Sequence, residues 1–188
     1  MLDRTEPYEL RKIQKASPCK GDAFDVSYIY SFRTERTDRY QSLRYIVRVE
    51  QFEDVFAIKF YAKRDRKLDT KYHRIIKAHG YATSLRIFVT CASIIPEILK
   101  EYPDASFAVN GARSMDLESN KIESENSTQR FRIYRAISLM LFGRQTFEHV
   151  QFTEVSSYLL VNRKGCEDIE AKTQRIKNLF LSKFEFEL

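Results

Sequence analysis

Residues 81–100 carry two apolar stripes, and this feature most limits how the chain can fold. The first stripe recurs at alternating spacings of three and four residues, the period of an α-helix, and consists of Leu85, Phe88, Ala92, Ile95 and Leu99. A second stripe beside it consists of Ile87, Cys91, Ile94 and Ile98. A helix that is apolar over so wide an arc should pack against a sheet. Pro96 lies inside it and predicts a bend or a local break in the helical hydrogen bonds.

Three predicted strands precede this helix. The first has aromatic or apolar residues at every second position, namely Phe24, Val26, Tyr28, Tyr30 and Phe32. This alternation predicts a half-buried strand whose aromatic side chains belong to the core. Residues 43–50 alternate in the same way, and residues 55–62 form a more fully buried run. Because the links between these strands are short, we expect an antiparallel three-stranded meander over residues 24–62.

The second half of the chain continues with alternating elements. Residues 105–109 predict a short strand that lies parallel to the third strand through a right-handed crossover. A polar loop, predicted to be flexible, spans residues 110–125. Asn126, Ser127 or Thr128 would then cap a helix over residues 129–142. Residues 146–152 and 157–162 predict a hairpin, and residues 167–183 an amphipathic helix.

The predicted fold class is therefore α+β, with a mixed, mostly antiparallel sheet in the order β-β-β-α-β-α-β-β-α and helices packed on its faces. A chain of 188 residues is within the size of one domain. Residues 1–21 predict an N-terminal appendage with a short helix at residues 7–15. Residues 22–165 form the predicted core, and residues 166–188 the C-terminal amphipathic helix.

Cysteine and histidine content limits the chemistry. Cys19, Cys91 and Cys166 are odd in number and far apart, which favours neither a disulfide framework nor a structural zinc site. We predict no metal site, and a buried structural thiol at Cys91 on the apolar helix. The reduced cysteines favour a cytoplasmic location. The N-terminus is charged and no uninterrupted apolar stretch of spanning length is evident, so we expect neither a secretory signal nor a membrane span.

The net charge of +6 is concentrated in one segment. Residues 63–77 contain seven cations and two carboxylates, and the cations are Lys63, Arg64, Arg66, Lys67, Lys71, Arg74 and Lys77. Such a segment attracts polyanions by a salt-sensitive electrostatic term. A non-catalytic protein that binds nucleic acid or an acidic protein partner through these residues is one hypothesis. The competing interpretation is a solvated loop that only promotes solubility.

The element order resembles the core of the GNAT superfamily, the acyl-coenzyme A-dependent N-acyltransferases. The turn of that family has Arg or Gln, two variable residues, Gly, one variable residue, and Gly or Ala. Lys77-Ala78-His79-Gly80-Tyr81-Ala82 matches it at the Gly and at the final Ala. The resemblance implies that the backbone N–H groups of this turn bind the coenzyme A pyrophosphate, with Lys77, His79, Gly80, Tyr81 and Ala82 at the cofactor. Acyl-coenzyme A would be a co-substrate rather than a permanently bound group.

The resemblance also implies catalytic residues. The family tends to carry a Tyr in its second helix that protonates the departing thiolate, and an Asn near the start of that helix. Tyr134 and Asn126 lie in that neighbourhood, one residue further apart than is usual. The implied reaction is direct attack of an amine on the thioester, in the cleft between the third and fourth predicted strands. Arg130, Arg132 and Arg135 lie close by and are expected to form a solvated helix face.

Two further hypotheses remain open. Gly80-Tyr81-Ala82, residues 86–90 and residues 130–134 resemble segments of small uncharacterised proteins of bacteriophages and mobile elements, which implies no chemistry. Alternatively, the chain is an assembly protein that docks through its terminal helix. The sequence predicts no oligomeric state and identifies no acyl acceptor.

Overall fold

A computed structural model describes residues 5–36, 38, 41–74, 80–116 and 121–184 of the chain. The strands are β1 (Arg11–Ala16), β2 (Val26–Arg33), β3 (Arg44–Phe52), β4 (Val55–Ala62), β5 (Ser106–Asn110), β6 (Met115–Asp116), β7 (Lys121–Ile122), β8 (Phe147–Phe152) and β9 (Ser157–Asn162). The α-helices are α1 (Tyr81–Ala92), α2 (Ile94–Glu101), α3 (Gln129–Leu141) and α4 (Ile169–Phe184). Two short 3-10 turns, Lys63–Asp65 and Asp69–Tyr72, follow β4.

One seven-stranded mixed sheet has the order β1-β2-β3-β4-β5-β9-β8. Every neighbouring pair is antiparallel except β4 and β5, which run parallel. The predicted meander, the parallel crossover and the final hairpin are all present. The α+β class with a mixed, mostly antiparallel sheet is confirmed.

Two apolar clusters occupy the two faces of this sheet. The larger cluster joins the sheet to α1, α2 and α3 and includes Tyr28, Tyr30 and Phe32 of the predicted aromatic stripe. The smaller cluster lies on the opposite face, where Ile176 of α4 packs against Val55 and Leu159. Helices thus cover both faces, but α4 covers only the part of its face around β5, β9 and the β3–β4 turn.

The helix predicted at residues 7–15 is wrong, because that segment forms the edge strand β1. It pairs antiparallel with β2, from Arg11 opposite Ser31 to Ala16 opposite Ser27, with an irregularity between Lys12 and Gln14. Just before it, Tyr8 is buried against Phe32, and its backbone N–H donates to the Thr90 hydroxyl at 2.8 Å. The segment predicted as an appendage therefore contributes both a strand and a core side chain.

The long apolar helix is interrupted at Ser93, between α1 and α2. Pro96 explains the position of the break, since it has no N–H for the carbonyl of Ala92 and its ring clashes with that carbonyl. Residues 81–101 are nonetheless one 21-residue helical run that contains an 18-residue window of mean hydropathy 1.5. By length and composition this run could cross a membrane, which corrects the expectation that no such stretch exists. Half of that 18-residue window is buried inside the fold. The cytoplasmic location stays a prediction.

The predicted flexible loop after β5 contains regular backbone pairing. The polar loop after β5 contains the two-residue ladder between β6 and β7, which was not predicted.

On β8, His149 lies between two partners: its Nε2 is 3.0 Å from the Phe142 carbonyl and its Nδ1 is 2.7 Å from the Tyr158 hydroxyl. Because a carbonyl only accepts, Nε2 carries the proton and Nδ1 accepts from Tyr158. Burial lowers the pKa of His149.

Candidate ligand-binding cavity

The ladder between β4 and β5 is incomplete. Three residue pairs join the two strands, Val55 with Ser106, Phe56 with Phe107 and Ala57 with Ala108. β4 continues to Ala62 without further pairing to β5, whereas β5 stays paired with β9 up to Asn110. The two strands are therefore unpaired over the second half of β4. The end of β4 borders a cavity instead.

This cavity has a volume of about 290 Å³ and lies between β4, α1 and the start of α3. Its apolar walls come from Phe60 on β4, from Leu85 and Phe88 on α1, and from Ile133 on α3. Its polar wall comes from the segment after β4 and from the first turn of α3. Lys71, Arg74 and Arg130 bring three positive charges to the wall, and Asp65 brings one negative charge.

Arg130 is the most unusual group of the wall. Its guanidinium donates to the backbone carbonyls of Tyr72 and of Arg74, the latter at 2.7 Å, and lies 5.7 Å from the centre of the Phe60 ring. No carboxylate of the described residues lies within ion-pair distance of it. Burial lowers the pKa of Arg130, the direction expected when a cation loses water. Glu123 interacts with this guanidinium electrostatically without a direct ion pair, and an anion that entered the cavity would add a counter-charge in contact with it.

The other charged groups of the wall are partly compensated. Asp65 is buried and its Oδ1 lies 3.6 Å from Nε of Arg74 and 3.9 Å from Nε of Arg64. Lys71 Nζ lies 5.7 Å from the centre of the Tyr61 ring and 5.3 Å from that of Tyr72. The aromatic faces attract the ammonium without neutralising it. The wall keeps an excess of positive charge.

The start of α1 faces the same cavity. Tyr81 and Ser84 belong to its wall, and Gly80 is the N-cap residue, without a side chain to cap the first N–H groups. No acidic residue is present in the first turn. The φ of Gly80 is −61°, which any residue can adopt, and no described atom lies within 4 Å of the position its Cβ would occupy. Among the described residues, none blocks a close approach to this helix end.

A hydrogen-bonded junction fixes the first turn of α3, and with it Arg130. The Thr128 hydroxyl caps α3 by accepting from the Phe131 N–H at 3.2 Å, and it donates to the Gly111 carbonyl at 2.6 Å. The Thr128 N–H donates to the Ser156 hydroxyl at 2.9 Å. A Cβ on Gly111 would lie 2.6 Å from the Phe131 nitrogen, so glycine is required by this close approach. The end of β5, the β8–β9 turn and α3 meet here.

Tyr134, the predicted acid, lies behind the cavity wall. It is 8% exposed, and its ring packs edge-on against Phe88 with centroids 4.9 Å apart. Burial raises the pKa of its hydroxyl well above the usual range. Cys91, 1% exposed, is buried nearby, and burial also raises the pKa of its thiol, so the prediction of a structural thiol agrees with its position. Asn126 is exposed in the turn before α3, and Thr128 rather than Asn126 caps the helix.

Of the remaining predicted residues, Tyr81, Lys71 and Arg74 line the cavity. Tyr81 is 65% exposed and Ala82 is exposed. Lys77 and His79 lie outside the described residues. Within the basic segment, Lys71 and Arg74 line the cavity, Lys63 is half-buried, and Arg64, Arg66 and Lys67 are exposed. Within the described part of the chain, no cluster of three metal-ligating side chains is present.

The sequence carried a signal for Arg130 that the interpretation as a solvated helix face missed. Arg132 and Arg135 are exposed as expected, but Arg130 lies on the inward face of α3. Its spacing to Ile133, Tyr134 and Ile137 is three, four and seven residues, the pattern of a buried stripe. A cation in such a stripe should have been recognised as facing the interior.

Comparisons with known proteins do not assign this arrangement. No protein-family model, no curated protein and no solved structure gives a significant match to the chain.

Proposed function

We propose that this cavity binds a phosphate-bearing ligand of the acyl-coenzyme A type, and that the chain is a GNAT-like N-acyltransferase domain. The observation that carries the proposal is the incomplete β4–β5 ladder beside a cationic cavity. The resemblance seen in the sequence implies a ligand in the cleft between these two strands. The element order from β2 to β9 supports the same comparison, apart from the small β6–β7 ladder.

The charges and the apolar wall of the cavity suit such a ligand. A phosphate would meet the Arg130 guanidinium, which has no described carboxylate partner, and the uncapped first turn of α1. Hydrogen bonds to charged groups contribute about 1.5–3 kcal/mol each, so the polar wall can select an anion. The apolar wall formed by Phe60, Leu85 and Phe88 would contact an uncharged arm of the ligand.

The geometry supports binding more directly than catalysis. Acyl transfer to an amine is the reaction that the resemblance attaches to this site, with Tyr134 as the acid. A proton donor must come within hydrogen-bond distance of the leaving sulfur, and the Tyr134 ring lies behind Phe88 rather than on the cavity wall. Asp65, the carboxylate on the described wall, is already paired with Arg74 and Arg64. The proposed function is therefore ligand binding first, and acyl transfer only as its extension.

Titration calorimetry with acetyl-coenzyme A tests the binding. Arg130→Gln should weaken the affinity at least about tenfold, because one charge-assisted contact of about 1.5 kcal/mol or more is lost. Arg132→Gln is the matched control, since Arg132 is exposed on the same helix and donates to the Ser127 carbonyl. No heat of binding with ligand in the millimolar range would overturn the proposal. Equal weakening by both variants would mean that the ligand does not bind in the cavity.

The extension to acyl transfer has its own test. Release of free coenzyme A thiol from acetyl-coenzyme A, in the presence of small amines and polyamines, would support it. Tyr134→Phe should then reduce the rate while leaving the affinity for acetyl-coenzyme A unchanged. A protein that binds the ligand but releases no thiol with any amine would refute the transferase activity and retain the binding function.

A further inference from the structure

A second cationic surface lies on the opposite side of the sheet from the cavity. Strand residues alternate between faces, and the residues of β1–β4 that point away from α1, α2 and α3 include five cations. These residues, called here the cationic face, are Arg11, Arg33, Arg44, Arg48 and Lys59. None of these five cations lines the cavity described above, although the neighbouring Tyr61 and Lys71 do.

The strand register arranges these cations in rows. Arg33 is directly opposite Arg44 on β2 and β3, and Arg48 is directly opposite Lys59 on β3 and β4. Like charges at directly opposed positions destabilise a sheet. Four residues separate Arg44 from Arg48, so the two rows lie about 13 Å apart at the usual rise of a strand. These two rows of positive charge therefore destabilise the sheet, and the fold nevertheless places both on one surface.

Among the described residues, a carboxylate neutralises the row of Arg48 and Lys59. Glu50, 4% exposed, lies 2.6 Å from Lys59 Nζ and 3.6 Å from the Arg48 guanidinium. Arg48 also donates to the Ser27 hydroxyl. In contrast, neither Arg33 nor Arg44 forms an ion pair with a described residue, and Arg44 donates only to the Ser31 hydroxyl at 3.2 Å. Within the described part of the chain, no carboxylate neutralises these two charges.

Tyrosines lie between and beside the rows of cations. Tyr61 shares the row between the two cationic rows, opposite Ile46, and is partly exposed. Tyr72, from the 3-10 turn after β4, packs edge-on against it with centroids 5.4 Å apart. Lys59 and Lys71 each lie 5.3 Å from the centre of the Tyr72 ring. Cations interleaved with partly exposed aromatic rings provide both phosphate contacts and surfaces on which bases stack.

We propose that the cationic face binds single-stranded nucleic acid through cations that do not line the ligand cavity. Arg33 and Arg44 contact phosphates, and Tyr61 and Tyr72 offer aromatic rings to the bases. Charge complementarity selects a polyanion as the occupant. The aromatic rings favour a single strand over a duplex, because the bases of a duplex are already stacked and only its phosphates are accessible to such a sheet.

Fluorescence anisotropy with a labelled single-stranded oligouridylate tests the proposal. Affinity should fall linearly with salt on logarithmic axes, with a slope of about −0.7 per phosphate contact. The double variant Arg33→Gln, Arg44→Gln removes two contacts, so affinity should fall about 25-fold in about 0.1 M salt and the slope should become shallower by about 1.4. Circular dichroism verifies that the double variant is folded.

A matched control separates the cationic face from net charge. The double variant Arg135→Gln, Arg144→Gln removes the same charge from exposed positions on and after α3, and should change affinity by less than about threefold. Equal losses in both double variants, or no binding at about 100 µM protein, would overturn the proposal. Equal or tighter binding of a matched duplex, or of labelled polyglutamate, would overturn it in favour of another polyanion. The double variant Arg33→Gln, Arg44→Gln should leave the affinity for acetyl-coenzyme A unchanged, because neither residue lines the cavity, so failure of the cavity proposal is distinguishable.

Discussion

Replacing Thr128 with valine should lower the free energy of unfolding by about 2–4 kcal/mol, because one buried hydroxyl makes two hydrogen bonds there. It accepts from the Phe131 N–H and donates to the Gly111 carbonyl. Valine keeps the shape of the side chain, so the change opens no cavity. Loss of an N-cap costs about 0.5–2 kcal/mol. The buried carbonyl left without its donor adds about 1–3 kcal/mol.

Urea denaturation followed by circular dichroism measures this change. Asn126→Ala is the control, because Asn126 lies in the same turn but is exposed, and should change the stability by no more than about 0.5 kcal/mol. A loss below about 1 kcal/mol for Thr128→Val would contradict the role given to its hydroxyl. So would an equal loss in both variants, since the sequence offered both residues as caps.

Two further predictions concern buried polar groups. Because the pKa of His149 is lowered in the folded state, the unfolded chain binds more protons, and the free energy of unfolding should fall as the pH drops below about 6.5. Urea denaturation at several pH values measures this dependence, and its His149 contribution should vanish in His149→Gln. Glu50→Gln should cost about 1–3 kcal/mol, because it removes the carboxylate beside Lys59. Glu53→Gln, at an exposed pair, should cost less than about 1 kcal/mol in the same assay and serves as the control.

Periodicity predicted the elements that bury a face. The alternating residues of β2 and the double stripe of α1 and α2 each lie in the larger core cluster. The proline rule predicted a break in the helix, and geometry places it at Ser93, one turn before Pro96. In each case a local pattern and the tertiary packing demand the same structure, which is why the sequence sufficed.

β1 shows where such reasoning fails. Residues 11–15 are all exposed, so they have no alternation for a sequence pattern to detect. They are extended because β2 offers them a free edge for main-chain hydrogen bonds. Such pairing depends on a partner far along the chain, and β propensity depends strongly on context. A helix at residues 7–15 was therefore a reasonable expectation that the tertiary structure overrides.

The candidate cavity was only partly predictable. The start of α1 after Gly80 and the parallel crossover could be read from the sequence, and both border the cavity. The point at which the β4–β5 ladder ends could not be read from the sequence, because it depends on how the two halves of the sheet are placed relative to each other. The cationic face needed the strand register as well, since only the register puts Arg33 opposite Arg44.

The short β4–β5 ladder also bears on how the chain assembles. Strands β1 to β4 pair with neighbours that are adjacent in sequence, so their contacts close small loops at little entropic cost. Pairing β4 with β5 closes the long loop that contains α1 and α2, and only three residue pairs offset the entropic cost of that closure. The meander can therefore collapse as a unit before the other half of the sheet docks. The gap in strand pairing that borders the cavity is thus also the place where the part of the sheet closed by local contacts meets the part that depends on the long crossover.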